Sequence, residues 1–305
     1  MNALRRSALL LLAAASLGLA GCAAFQKITE AGTAVAVGAG VMTEDQASSV
    51  NKSTAAIAKA AEVLTPENEF YIGRSVGATI LATYKPYDAA KATRYVNTLG
   101  QALALGSDMP QTFGGYHFLI LDSDEVNAFA APGGLIFVTR GMLRCCRTET
   151  ALAAVLAHEV GHVQFQHGLA SIKKGRITQA TVTVLSESAK TMSGENVKML
   201  TDQFSGAIGD ITKDLVVNGY SRGAEKEADG AAVTIMNRLG YNPAGLVDML
   251  KEMDTRVQAG GAGFGKTHPP PSDRIALILK LIGEPKTISE NKTLKDRFAE
   301  SMAGI

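Results

Sequence analysis

Apolar positions along the chain repeat with two different periods, and their order predicts an α+β protein in which helix dominates. Phe70, Ile72, Val76 and Ile80 recur at helical spacing behind Thr65-Pro66-Glu67, where a capping hydroxyl precedes a proline suited to a first turn. A second helical pattern runs from about Ala89 to Leu105. The period then shortens. Tyr116 to Leu121, Val126 to Ala130 and Leu135 to Thr139 are short β-rich runs, the last two separated by Pro132-Gly133-Gly134, and together they predict a small antiparallel meander. Helices return after Thr148, which is placed to cap a run of good helix formers from Ala151 to Ala157. Ser221 is a second N-cap, ahead of Ala231, Ala232, Ile235 and Leu239, with Gly240 and Pro243 ending that helix.

The N-terminal pattern differs from all of this. Arg5 and Arg6 precede a short apolar stretch from Ala8 to Leu19, and Leu19-Ala20-Gly21-Cys22 follows, so residues 1–21 read as a signal peptide. The stretch is about half of the roughly 20 residues that cross a bilayer. The tetrad resembles the bacterial lipobox, which implies a lipid on Cys22, attachment to a membrane through it and a place in the bacterial cell envelope. Ala23, where an inner-membrane retention signal has Asp, points to the periplasmic face of the outer membrane. Residues 22–62, rich in Ala, Gly and Ser, are expected to form a tether with some helix, residues 63–284 the folded domain, and residues 285–305 a short polar tail. Segments around 176–190 and 197–217 are interrupted by Thr, Ser, Asp and Lys, which argues against a membrane span in either.

Composition narrows the chemistry. The 305 residues carry 30 Lys+Arg against 29 Asp+Glu, and no basic run interleaves with aromatics, so nothing is built to neutralise a phosphate backbone and no nucleic-acid partner is expected. The three cysteines form no CxxC pair; with Cys22 lipidated, Cys145 and Cys146 remain as neighbours whose bonding would strain the backbone. Any metal must therefore be held by carboxylates and some of five histidines.

His158-Glu159-Val160-Gly161-His162 lies on the helix expected after Thr148. Positions i and i+4 share one helix face, so both imidazoles reach one zinc, while Glu159 reaches the water bound to it and can take its proton. Such a site needs a third protein ligand and an open position. A metzincin would place Gly at 165 and His at 168, but the chain has Phe165 and Gly168. His167, five residues past His162, is about 140° round an unbroken helix and is read as a surface or hydrogen-bonding histidine. Glu225 and Asp229, again i and i+4 on the helix after Ser221, offer a third ligand and a carboxylate to orient a ligating imidazole, with Ala224 and Ala228 small enough for close approach. Glu187 is the rival third ligand, lacking an acid four residues on, and Glu227 is read as a solvated charge.

These motifs, with Thr267-His268-Pro269-Pro270-Pro271-Ser272-Asp273-Arg274-Ile275 and Asn127-Ala128-Phe129-Ala130-Ala131-Pro132-Gly133-Gly134, resemble the gluzincin peptidase family M48, which includes HtpX, the CAAX prenyl endopeptidases, Oma-type proteases and periplasmic lipoprotein peptidases of the LoiP and BepA kind. The resemblance covers roughly residues 63–283. It implies a mainly helical zincin-like domain with its small sheet beside the HExxH helix, one Zn2+ per chain on His158, His162 and Glu225, Glu159 as the base and Asp229 behind the ligands. It also implies that His268 and Arg274 line the cleft as catalytic stabilisers of the oxyanion. Leu135, Ile136, Phe137, Val138 and Thr139 are expected to be the edge strand to which an extended polypeptide substrate adds. The transmembrane helices of some members and the helical-repeat extension of others have no counterpart here. The function expected is zinc-dependent endopeptidase cleavage of unfolded or misassembled envelope proteins; the alternative is an envelope chaperone or assembly factor with latent or little proteolysis. Four glycines between 260 and 265 make a hinge ahead of His268, from which its imidazole can reach the fourth zinc position in a latent state.

Overall fold

The computed structural model describes residues 22–60, 66–171, 209, 212–258, 268–283 and 292–305. Two compact units divide the chain, the first containing residues 1–63 and 173–201 and the second residues 64–172 and 202–305. In the first, helices α1 (Cys22–Gly38) and α2 (Glu44–Ala60) pack on each other, and the Thr33 hydroxyl donates to Asn51 Oδ1 at 2.9 Å between them. The segment expected to be a tether with some helix is helical over Cys22–Gly38 and Glu44–Ala60, consistent with its alanine content, with a turn at residues 39–43. Residues 1–21, expected to be a signal peptide, lie outside the described residues.

The second unit holds the His158–His162, Glu225–Asp229 and His268–Arg274 motifs. Helix α3 (Pro66–Thr83) and α4 (Ala90–Leu105) precede strands β1 (His117–Leu121), β2 (Ala128–Ala131) and β3 (Leu135–Thr139). Next come α5 (Arg140–Cys145), α6 (Glu149–Gln164), α7 (Arg222–Arg238), α8 (Ala244–Gln258), α9 (Pro271–Ile282) and α10 (Lys292–Ser301). Among the described residues no helix is long and apolar enough to cross a membrane.

The sheet is mixed, not a meander. Its order is β1-β3-β2: β3 pairs in parallel with β1, His117 opposite Leu135, and antiparallel with β2, Ala128 opposite Val138. Residues 122–127 carry the chain past the place that β3 later fills, a non-local choice that the period of each strand does not encode. Alternate side chains go to two cores. Phe118, Ile120, Ala128, Ala130, Ile136 and Val138 join the core containing α4 and α6 residues, while Phe129, Ala131 and Phe137 join Ile72, Val76 and Ile80 of α3. A sheet covered on both faces reads as continuous apolar runs, as these strands do.

Helix α6 is the central element, buried from Glu149 to Val163 and packed against α4, α7, α8 and β2. Thr148 caps it, accepting from the Ala151 N–H at 3.1 Å, a bond worth about 1 kcal/mol. Its crossing with α7 is close: a Cβ on Gly161 would stand 3.0 Å from Ala228 Cα and Ala231 Cβ. Ser221 caps α7, accepting from the Ala224 N–H at 3.3 Å. Helix α9 starts at Pro271 without a side-chain cap, so Ser272 sits inside its first turn instead of capping it.

The stretch expected to be a polar tail contains α10, whose Phe298, with Met302 and Ile305 beyond it, packs on the main core. Arg297 donates twice to the buried Glu149 carboxylate, which also accepts from the Tyr95 hydroxyl at 2.6 Å and the Tyr241 hydroxyl at 2.5 Å. Burial pushes the Glu149 carboxyl up, but these bonds outweigh it and hold it below the usual carboxylate range.

Candidate metal centre

One turn of α6 brings His158 and His162 onto the same side, with their Nε2 atoms 3.1 Å apart. Across the α6–α7 crossing, Glu225 Oε1 lies 3.4 Å from His162 Nε2 and Oε2 lies 3.6 Å from His158 Nε2. His268, just ahead of α9, places Nδ1 2.8 Å from Glu225 Oε2. All four residues are buried, and one ligand atom from each fits within 4.8 Å of the others. Three motifs far apart in sequence therefore meet at one point.

The other ring nitrogens face away from that point. His158 Nδ1 is 2.9 Å from Asp229 Oδ1, and His162 Nδ1 is 2.9 Å from His167 Nδ1. A carboxylate only accepts, so His158 Nδ1 donates and its Nε2 keeps a lone pair directed at Glu225. Burial lowers the His162 imidazole to about 3, leaving it neutral. Burial alone would raise Glu225, but the imidazoles of His268, His162 and His158 outweigh it and hold the carboxyl well below its usual range. Glu225 Oε1 is buried without a hydrogen-bond partner among the described residues.

Imidazole nitrogens of His158 and His162 and one anionic carboxylate, to which His268 Nδ1 donates, converge on one buried point, which is the chemistry of a cation site. Ligand atoms about 2.0–2.1 Å from a tetrahedral zinc stand roughly 3.3–3.4 Å apart, close to the separations here. Glu159, the next residue round α6, is 2% exposed, and burial pushes its carboxyl up to about 7, with His158 opposing. Such a carboxyl exchanges a proton near neutrality.

Arg274, expected as an oxyanion stabiliser, is 2% exposed, donates through Nε and Nη2 to the two oxygens of Asp229 at 3.0 and 2.6 Å, and so holds the carboxylate that holds His158, while its Nη1 lies 3.7 Å from Glu225 Oε2. Two expectations need correction. Strand β3 is no edge strand, because β1 and β2 take both of its sides, and residues Leu135 to Thr139 have no open ladder to offer. Glu227 is not merely solvated, since its Oε2 lies 3.0 Å from His167 Nε2. His268, expected as an oxyanion stabiliser, lies within the cluster, its Nδ1 2.8 Å from Glu225 Oε2. Glu187 and the glycines between 260 and 265 lie outside the described residues.

Tyr220 was missed as an individual residue. Its ring stacks on His162 with centroids 4.3 Å apart and planes 19° apart, and its hydroxyl donates to the Ala130 carbonyl at 3.1 Å. Its place beside the ExxxD helix was the available signal, but a stacking partner two elements away has no spacing rule.

The sequence profile of peptidase family M48 matches residues 90–282. The chain is 29% identical over 212 residues to the β-barrel assembly-enhancing protease of Yersinia pestis, covering 68% of this chain and 41% of that protein. It is 29% identical over 216 residues to the mitochondrial metalloendopeptidase OMA1 of Schizosaccharomyces pombe, covering 70% and 58%. With metalloprotease LoiP of Escherichia coli the identity is 26% over 197 residues, covering 65% and 71%. The chain spans only about two fifths of the length of the assembly-enhancing proteases it matches. With a profile covering more than half of its length, and a buried His/Glu donor set of the kind that takes the zinc these peptidases use, the chain belongs to peptidase family M48.

Proposed function

We propose that this protein is a zinc-dependent endopeptidase that cleaves unfolded or misassembled polypeptides in the cell envelope. The observation that carries the reading is the meeting of His158, His162 and Glu225 beside the buried carboxyl of Glu159. Zinc held there supplies Lewis acidity toward a peptide carbonyl and toward water. Glu159 Oε takes the proton of the attacking water, and the same carboxyl returns it to the leaving amine. Asp229, pinned by Arg274, orients His158 throughout.

The substrate strand is assigned to the edge of β2. Asn127 O accepts from the Thr139 N–H at 3.0 Å, so by the alternation of an antiparallel ladder the main-chain groups of Ala128 and Ala130 point away from β3. Both edges are partly taken: on β1 Asn97 bonds the N–H and the carbonyl of Phe118 and Pro86 bridges Leu121, and on β2 Asn127 Oδ1 accepts from the Ala128 N–H at 3.0 Å; β2 is preferred because it packs against α6, which carries His158 and His162. An extended peptide adding to β2 takes the Ala130 carbonyl from Tyr220 and lies beside α6.

The position of His268 against Glu225 favours a resting state in which its imidazole completes the donor set, which supports latency within the peptidase reading and gives the assembly-factor alternative its one foothold. The envelope assignment rests on the lipobox at Cys22 and on similarity to proteins named as β-barrel assembly-enhancing proteases. Glu159→Gln tests the chemistry: zinc binding is retained and hydrolysis of an unfolded test protein is lost. Retained hydrolysis in that variant would remove Glu159 from the mechanism.

A further inference from the structure

Helix α6 ends at Gln164, two residues after His162, and Gln166 is the only non-glycine among the described residues with a positive φ, at 53°. A left-handed residue without glycine's freedom costs about 1–3 kcal/mol and persists where its surroundings hold it. Here Gln166 Nε2 donates to Glu69 Oε2 at 3.0 Å, and that buried carboxylate also accepts from the Gly133 N–H at 3.1 Å. The break has one evident consequence. It swings His167, which an unbroken helix would carry about 140° away, back over His162.

The imidazole of His167 is 6% exposed and lies between its partners, with Nδ1 2.9 Å from His162 Nδ1 and Nε2 3.0 Å from Glu227 Oε2. Phe165 stacks on it with planes 22° apart, and Tyr220 closes in at 5.6 Å. The Glu227 carboxylate can only accept, so His167 Nε2 donates to it. With the ring's proton on Nε2, its Nδ1 accepts and His162 Nδ1 donates to it. This leaves the lone pair of His162 on Nε2, the atom facing Glu225 and His158.

We propose that His167 and Glu227 form a positioning relay that fixes the tautomer and orientation of His162 for metal binding. The inference rests on the zinc reading above. His158 reaches its carboxylate directly, through Asp229; His162 reaches one through a second ring, and that carboxylate is 58% exposed on the surface of α7. Carboxylates that hold ligand imidazoles are typically worth ten- to a hundredfold in metal affinity.

The test is a zinc titration of the full chain against a competing chelator, in wild type, His167→Phe, Glu227→Gln, the double variant and His162→Ala, with circular dichroism of each metal-free form. His167→Phe keeps the ring's volume and lowers affinity about ten- to a hundredfold. Glu227→Gln, a change at an exposed position that leaves the fold intact, lowers it several-fold. The double variant matches His167→Phe alone, because the carboxylate acts only through the ring. The visible spectrum of the cobalt-substituted protein shifts in both single variants, which a purely structural role would not produce. Wild-type affinity in a folded His167→Phe or in Glu227→Gln overturns the relay, as does additivity in the double variant. Wild-type affinity in His162→Ala overturns the zinc reading itself, and the relay with it.

Discussion

At the site, local spacing carried most of the information. Two histidines at i and i+4, a glutamate between them and a second i, i+4 acid pair are positions on helix faces, and a helix face can be computed from sequence. His167, Glu227 and Tyr220 escaped because their roles depend on a helix break at Gln166 that no glycine or asparagine announces, and on a crossing between α6 and α7. That Arg274 also holds Asp229 was not legible, since nothing in its own motif says that Asp229 will take its guanidinium. His268 gives the sharpest test of a single side chain. As a resting-state donor beside Glu225, its replacement by Ala should weaken zinc binding and raise basal cleavage. Unchanged affinity with about a hundredfold loss of turnover would make it a transition-state donor instead.

Among the elements, α3, α4, β3, α6 and α7 fall close to where periodicity and capping put them, because each has its own face and its own start signal. The order of the sheet did not, since strand pairing is decided by partners distant in sequence. The α6–α7 crossing carries a prediction of its own. Gly→Ala inside a helix ordinarily stabilises by about 1 kcal/mol. At Gly161 the new methyl meets Ala228 and Ala231 at 3.0 Å, so Gly161→Ala should lower both the thermal midpoint and zinc affinity by spreading the ligand helices. A raised midpoint would show that this contact has slack. For α10, Arg297→Ala removes a charged partner from the buried Glu149 carboxylate and should cost about 1–3 kcal/mol near pH 7. Glu149 is held below its usual range in the fold, so its bonds contribute fully above the unfolded carboxylate pKa, about 4.3, and the contribution fades as pH falls through the folded value. The stability gap between wild type and Arg297→Ala should therefore close in acid; a gap constant from pH 7 to pH 3 would mean that Glu149 is not its source.

For the whole molecule, the peptidase unit is one question and its address another. If Cys22 carries lipid, wild type partitions with membranes, whereas Cys22→Ser is released or remains as unprocessed precursor; equal membrane retention of a correctly cleaved Cys22→Ser protein contradicts the anchor. The central claim is that three distant motifs build one zinc site. The direct measurement is zinc content and affinity of the purified full chain, compared between wild type, Glu225→Ala and Glu187→Ala. The account predicts about one zinc per wild-type chain, affinity at least tenfold weaker in Glu225→Ala, and no change in Glu187→Ala. Full affinity in Glu225→Ala, or its loss in Glu187→Ala, would place the third ligand elsewhere and contradict it.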